Sequence, residues 1–182
     1  LIQKHQMQRV GVHFNLTDGR PVLSDHQTIV DEEGNFLRNL FQLHSINKDE
    51  VRRELEAQLL KARAAGVCVT HFDSHHHVHM TTSLRKVFAL ISSEHEVPMR
   101  RVNATSRNPM RIAALAWDLR NSLSYTEKFS ADFYGEDITY EALRRIIRSF
   151  RGKTLEIMCH PGYADIGNGV YNTERETELK IL

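Results

Sequence analysis

The segment VCVTHFDSHHHVHM (residues 67–80) opens with alternating apolar residues and carries five histidines and one aspartate in its last ten positions. No hydrophobic core needs so many imidazoles together. A divalent metal or a proton-transfer site does, because imidazole is a good ligand for borderline metals and titrates near neutrality. In an extended strand His71 and Asp73 share one face. If the backbone turns helical after Ser74, His75 and His79 stand four apart, a chelating spacing on one face of a helix. An open catalytic metal site takes about three protein ligands plus water. One or two of these histidines as ligands, with the others beside the metal or substrate, is therefore the expected use. A solvated histidine-rich loop is the plainer alternative, and the adjoining apolar strand argues against it.

Two histidines elsewhere join the candidates. In QRVGVHFNL (8–16), Val10, Val12, Phe14 and Leu16 fall on one side, and Gly11, His13 and Asn15 on the other. A single strand histidine is more often structural, but His13 lies opposite the apolar side, where a ligand or metal can approach. His160, in EIMCHPGY (156–163), ends a strand just before a sharp turn. Its ordinary pKa near neutrality suits a general acid. Glu156 shares its parity and reads most simply as the buried partner of a basic residue. Arg175 and Glu178 read as an exposed i,i+3 pair.

The elements that must position these residues follow from periodicity and punctuation. Period two marks a strand at 8–16, and TDGRP (17–21) is a turn. Residues 22–46 form a long polar loop with a second turn at DEEGN (31–35), and long loops in compact domains are often functional. Asn47 is placed to cap a helix, with Glu50 completing a capping box. Val51, Leu55, Leu59 and Ala62 form its apolar stripe, and Gly66 stops it. A strand at 67–73 follows. Further helices are expected over 82–95 (Leu84, Val87, Phe88 and Ile91 inward), 108–123 and 138–150 (Leu143, Ile146, Ile147 and Phe150 inward). Short strands are expected at 97–103 and 154–159, and a strand or ordered loop at 128–135. After a GNG turn (167–169), Thr173 and Glu176 suggest a last capping box. Strands alternating with helices imply βαβ units and a parallel sheet in one domain over residues 1–182, either open or closed into a barrel. In both arrangements active sites gather at the C-terminal strand ends.

Composition narrows the function classes. The chain has 182 residues, 41% hydrophobic and 26% charged, with a net charge of +1. It shows no basic stripe for nucleic acid, no apolar run of about 18 residues for a membrane span, and no signal-peptide pattern. Cys68 and Cys159 sit in apolar runs and read as small buried residues in a reducing compartment, so the cytoplasm is the expected location. A homodimer is admissible, though no pattern argues for one.

Three blocks, GVHFNLTDGRP (11–21), THFDSHHHVHM (70–80) and EIMCHPGY (156–163), resemble the YdjC-like carbohydrate deacetylases in order and rough spacing. FYGEDIT (133–139) also looks like a segment of that family. The resemblance implies an α/β fold, an irregular TIM-like (β/α) barrel with parallel strands that is incomplete at both ends here. It implies metal-dependent removal of N-acetyl groups from acetylated amino sugars of the chitooligosaccharide type. It places metal ligands at His13 and His75, with Mg²⁺ as the usual metal and Zn²⁺ or another divalent ion as the alternative. The family's first strand ends in an Asp-Asp-Phe-Gly block that supplies a third ligand and the catalytic base. No carboxylate precedes His13 here, so the chain reads as a fragment, expected to bind metal weakly and to be inactive alone.

Within this reading His160 protonates the departing amine. Asp73 orients a histidine or acts as an auxiliary base, its alternative being to cap the turn after its strand. Arg100 or Arg101 meets a sugar hydroxyl or phosphate, a surface role being the simpler expectation. The rivals are another metal-dependent hydrolase on a similar barrel (an amidohydrolase or phosphoesterase) and a hydrolase of phosphorylated disaccharides using Asp73 and Glu156. A non-catalytic metal- or sugar-binding module completes the set.

Overall fold

The computed structural model describes residues 4–5, 7, 9–38, 45–81, 83–101, 126–164 and 171–182. The alternation after Arg9 forms strand β1 (Val10–Phe14), which buries Phe14 and leaves His13 exposed on the other side. Helix α1 (Lys48–Ala64) begins at Asn47, whose side chain accepts the Asp49 N–H at 2.8 Å. Asp49 and Glu50 in the first turn and Lys61 and Arg63 in the last suit the helix dipole. Gly66, at φ +79°, takes the left-handed conformation that ends the helix. The expected capping box does not form. Glu50 instead accepts the N–H groups of Gln27 (3.1 Å) and Thr28 (2.9 Å) of the long loop, and the Asn47 N–H donates to Thr28 Oγ1 at 2.8 Å.

Strand β2 (Val69–Ser74) returns beside β1 in parallel, pairing His13 with Asp73 and Phe14 with Ser74. A bridge from Phe72 to Met99 adds a third parallel partner, all that is described of the strand expected at 97–103. Helix α2 (Arg85–Glu94) buries Val87, Phe88 and Ile91, with Leu84 just before it. The core of this unit gathers Phe14, Leu55, Leu59, Phe72, Phe88 and Met99. Phe14 packs on Phe72 at 4.9 Å and on Phe88 at 5.8 Å between ring centroids. Each such side chain, fully buried, contributes about 1.5–3 kcal/mol. It is this packing that anchors the C-terminal ends of β1 and β2 side by side.

Contacts divide the chain into two compact units, Leu1–Tyr125 and Thr126–Leu182. In the second, strand β3 (Lys128–Ser130) pairs in parallel with β4 (Leu155–Ile157), joined through helix α3 (Tyr140–Arg148). Thr139 caps α3 by accepting the Ala142 N–H at 3.0 Å. Ile146 is buried, whereas Ile147 is 53% exposed, contrary to the expected inward stripe. Helix α4 (Thr173–Ile181) closes the chain. Asn172 occupies its N-cap position, so Thr173 is not the cap, and Glu176 accepts the Ala164 N–H at 3.3 Å instead of closing a capping box.

The architecture is mixed α/β with parallel strands. Among the described residues the strands form two separate two-stranded sheets and no closed sheet. Among them, too, no helix is long and apolar enough to cross a membrane. Both cysteines are exposed, correcting the expectation of burial. Cys68 precedes the first paired residue of β2, and Cys159 follows the last residue of β4. The helix expected at 108–123 and the turn at 167–169 lie outside the described residues.

Candidate active site

Parallel register puts His13 and Asp73 on the same face at the C-terminal ends of adjacent strands. His13 Nδ1 lies 2.9 Å from Asp73 Oδ1, and Arg100 donates from Nη2 to Asp73 Oδ2 at 2.7 Å. The Asp73 and Arg100 side chains are only 13% and 10% exposed, against 53% for His13. Burial acts to raise the Asp73 carboxyl, but the His13 hydrogen bond and the Arg100 charge outweigh it and hold its pKa below the ordinary 3.8. Asp73 is thus an ionised acceptor clamped between two donors. It caps nothing, since Ser74 takes the cap position of the next segment. Arg100, read from sequence as a surface residue, is its buried counter-ion.

The same face carries a close approach. The His71 imidazole lies over Gly11, where a Cβ would collide with the ring. Asn15, just past β1, is fixed by Gln58 of α1, which donates to its carbonyl (2.7 Å) and accepts its N–H (3.0 Å). The Asn15 side chain in turn accepts the N–H groups of Thr17 and Asp18, both at 3.1 Å, forming the TDG turn.

The histidine run does not form the regular helix that would stack His75 above His79. Two short 3-10 turns span His75–Met80, kinked where His76 (φ 50°) and His77 (φ 53°) adopt the left-handed conformation. For residues with a Cβ each costs about 1 kcal/mol or more, and such strain clusters at functional sites. The kink separates the histidines by role. The half-buried His75 turns its ring edge-on to His13, 5.6 Å between centroids, and packs against His76 at 3.9 Å. His76 Nδ1 meets Thr17 Oγ1 at 3.0 Å. His79 turns into the core, where Ser74 Oγ accepts its backbone N–H (3.0 Å) and lies 2.5 Å from its Nδ1. Burial, reinforced by the charges of Arg85 and Arg100, holds the His79 pKa well below 6.5. His79 is a neutral core residue, and its place in the metal-like spacing is incidental.

Within the first unit the structure brings together His13, Asp73 and His75. Two imidazoles face each other, one held by a carboxylate at Nδ1 so that its Nε2 is left for a ligand. That is the usual way a protein prepares a metal-binding histidine. Among the described residues, no group of three histidine, cysteine or carboxylate side chains forms a complete metal site.

His160 belongs to the second unit. Its backbone N–H donates to Glu178, and its ring lies edge-on to Tyr134 (5.8 Å) and Tyr171 (5.7 Å), which stack on each other at 4.5 Å. Glu178, expected to be exposed, is fully buried. The Tyr171 hydroxyl donates to it at 2.5 Å. Burial and this bond to a carboxylate push the Tyr171 phenol far above its ordinary pKa. The missed signal was helical spacing on α4. Glu178 lies one turn before Ile181, which is partly buried against the core of this unit, whereas the polar neighbourhood suggested solvent.

The model of the YdjC-like protein family matches residues 1–182. The chain belongs to the YdjC-like family. A carbohydrate deacetylase of Brevibacillus brevis is 37% identical over all of this chain and 72% of its own length. A chitooligosaccharide deacetylase of Yersinia enterocolitica is 35% identical over 95% of this chain and 69% of its own. Among solved structures, a protein of Enterococcus faecalis V583 superposes with a TM-score of 0.82 at 27% identity, covering 96% of this chain and 69% of that one. It is provisionally described as a cellobiose-phosphate cleavage protein. This YdjC-like chain is thus similar in sequence to these deacetylases, and in fold to that solved structure, across nearly its whole length.

Proposed function

We propose that this protein is a carbohydrate deacetylase that hydrolyses the N-acetyl group of chitooligosaccharide-type amino sugars, with a divalent metal held by His13 and His75. The observation that carries the reading is family membership over residues 1–182, together with relatives named as carbohydrate and chitooligosaccharide deacetylases. The strands are read as part of an irregular TIM-like barrel, and residues 1–182 as a single catalytic-type domain.

The donor chemistry at the β1–β2 edge fits a metal in kind, with two imidazoles and a carboxylate behind one of them. Two imidazoles match Zn²⁺ better than Mg²⁺, which prefers oxygen; the family resemblance favours Mg²⁺, and both belong in the assay. When bound, the ion supplies Lewis-acid polarisation of the acetyl carbonyl and acidifies water. Other roles fall to this chain's own residues. Asp73 accepts a hydrogen bond from His13 Nδ1 and fixes the ring's tautomer and orientation, and Arg100 fixes Asp73. A carboxylate of the family's Asp-Asp-Phe-Gly block would take a proton from the water that adds to the acetyl carbon, His160 gives one to the departing amine as the C–N bond breaks, and acetate and a free amino sugar result.

The description of the Enterococcus faecalis protein favours one second reading, cleavage of a phosphorylated disaccharide. That reaction wants a carboxylic acid free to give a proton. Asp73, ionised and clamped by two donors, is poorly suited to it. Incubation of the chain, supplied with the family's Asp-Asp-Phe-Gly segment, with an N-acetylated chitooligosaccharide decides the matter; residues 1–182 alone are expected to release no acetate. Release of acetate with the glycosidic bonds intact supports deacetylation, and release of shorter sugars without acetate refutes it.

A further inference from the structure

The carboxylate of Glu178 has no exposed side-chain surface. A buried, unpaired charge is costly, so its partners define what it is for. Its Oε2 accepts the His160 backbone N–H, its Oε1 accepts the Tyr171 hydroxyl at 2.5 Å, and the same Oε1 stands 4.0 Å from His160 Nδ1. The turn bearing His160 is pinned to α4 a second time. The Gly162 N–H donates to the Arg175 carbonyl at 3.2 Å, and the Arg175 guanidinium packs where a Gly162 Cβ would stand. Two tyrosine rings complete the enclosure of an imidazole that is still 44% exposed. The surroundings of His160 thus include one buried carboxylate, the hydroxyls of Tyr134 and Tyr171, and the guanidinium of Arg175.

We propose that Glu178 is a positioning residue for His160. It fixes the turn that aims the imidazole, and its negative charge stabilises the imidazolium that gives the amine its proton. The α4 charges act in opposition. Arg175 disfavours a protonated His160, whereas Glu178 favours it and bonds the same residue directly. Tyr171 regulates the pair, because its hydroxyl occupies the carboxylate oxygen closest to Nδ1. The proposal rests on the reading of His160 as the general acid, and its test separates the two.

The test is a histidine titration of the whole chain by NMR, with His160 assigned through His160→Gln. Glu178→Gln is expected to lower the His160 midpoint by about one pH unit, the effect of removing an opposite charge at this range. Tyr171→Phe, which removes a competing donor and keeps the charge, is expected to leave the midpoint unchanged or raise it. In acetate release, Glu178→Gln should lower kcat about tenfold with KM little changed. It should also move the alkaline limb of kcat to lower pH, and Glu178→Asp should restore part of the loss. An unchanged midpoint in a folded Glu178→Gln protein overturns the proposal, as does a Tyr171→Phe midpoint that falls. If Glu178→Gln does not fold, Tyr171→Phe decides by the same criterion. Undiminished acetate release by His160→Gln would refute His160 as the acid while leaving the titration result to stand on its own.

Discussion

His13 and Asp73 face each other across two parallel strands in register, the imidazole Nδ1 2.9 Å from one carboxylate oxygen while a third residue, Arg100, holds the other at 2.7 Å. Strand pairing, the packing of Phe14 on Phe72 and the Arg100 ion pair hold the two residues together with no ligand bound. Replacing Asp73 by Asn weakens the acceptor for His13 and removes the carboxylate charge that Arg100 pairs with at 2.7 Å. Metal affinity and acetate release are expected to fall about 10–100-fold, and chemical denaturation should register a loss of about 2–4 kcal/mol.

The same carboxylate gives a pH signature. Its folded pKa lies below the ordinary 3.8, so its stabilisation is fully present above the unfolded value and is lost as the pH falls through the folded one. Denaturation of the wild type should weaken below about pH 4 more steeply than that of Asp73→Asn. Parallel acid limbs for the two proteins would contradict the assignment.

His79 acts over a higher window. Its folded pKa is well below 6.5, so the unfolded chain takes up a proton first as the pH falls. Stability should decline from about pH 6.5 downward until the folded value is reached, with a slope of at most about 1.4 kcal/mol per pH unit. His79→Leu should flatten that slope in a series of urea denaturations between pH 7.5 and 5.

Gly11 is needed for the room its missing Cβ gives to His71, not for unusual backbone angles. Gly11→Ala forces the His71 ring to rotate and break its 3.0 Å contact with Thr70 Oγ1. The expected cost is about 1 kcal/mol. The double variant Gly11→Ala, His71→Ala should recover it, and a thermodynamic cycle reads the coupling.

Much of this arrangement was legible in the sequence and some of it was not, for one physical reason. Period-two alternation at 10–14 and the stripe of Val51, Leu55 and Leu59 report which face of an element is buried, and both appear as expected. The partners of polar side chains depend on which distant segment comes near. Glu50 and Thr173 carry good capping-box spacing, yet Glu50 turns to the 27–28 backbone and Thr173 is displaced from the cap by Asn172. Glu54, at a buried position on α1, accepts the N–H groups of Val22 and Leu23 and pairs with His26 at 3.0 Å. The left-handed His76 and His77 go against local preference, and the contacts of His76 with Thr17 and of His79 with Ser74 accompany that conformation.

Glu54 also yields a test of how the long loop is held. Glu54→Ala strands the buried His26 and two backbone donors. The Val22 and Leu23 amides should lose their protection in hydrogen exchange, and stability should drop by about 3 kcal/mol or more. Retained protection at both amides would show that the loop is held some other way.

The central claim is that His13 and His75 together hold the ion that deacetylation requires. The most direct measurement is calorimetric titration of Zn²⁺ and Mg²⁺ into the metal-stripped protein and its His13→Ala and His75→Ala variants, with acetate release followed on the same samples. The account predicts one ion per chain, weakly held by residues 1–182 and weaker still after either substitution, with acetate release, once the family's Asp-Asp-Phe-Gly segment is supplied, lost on chelation and restored by metal. Acetate release that survives chelation, or metal binding that survives both substitutions, would contradict it.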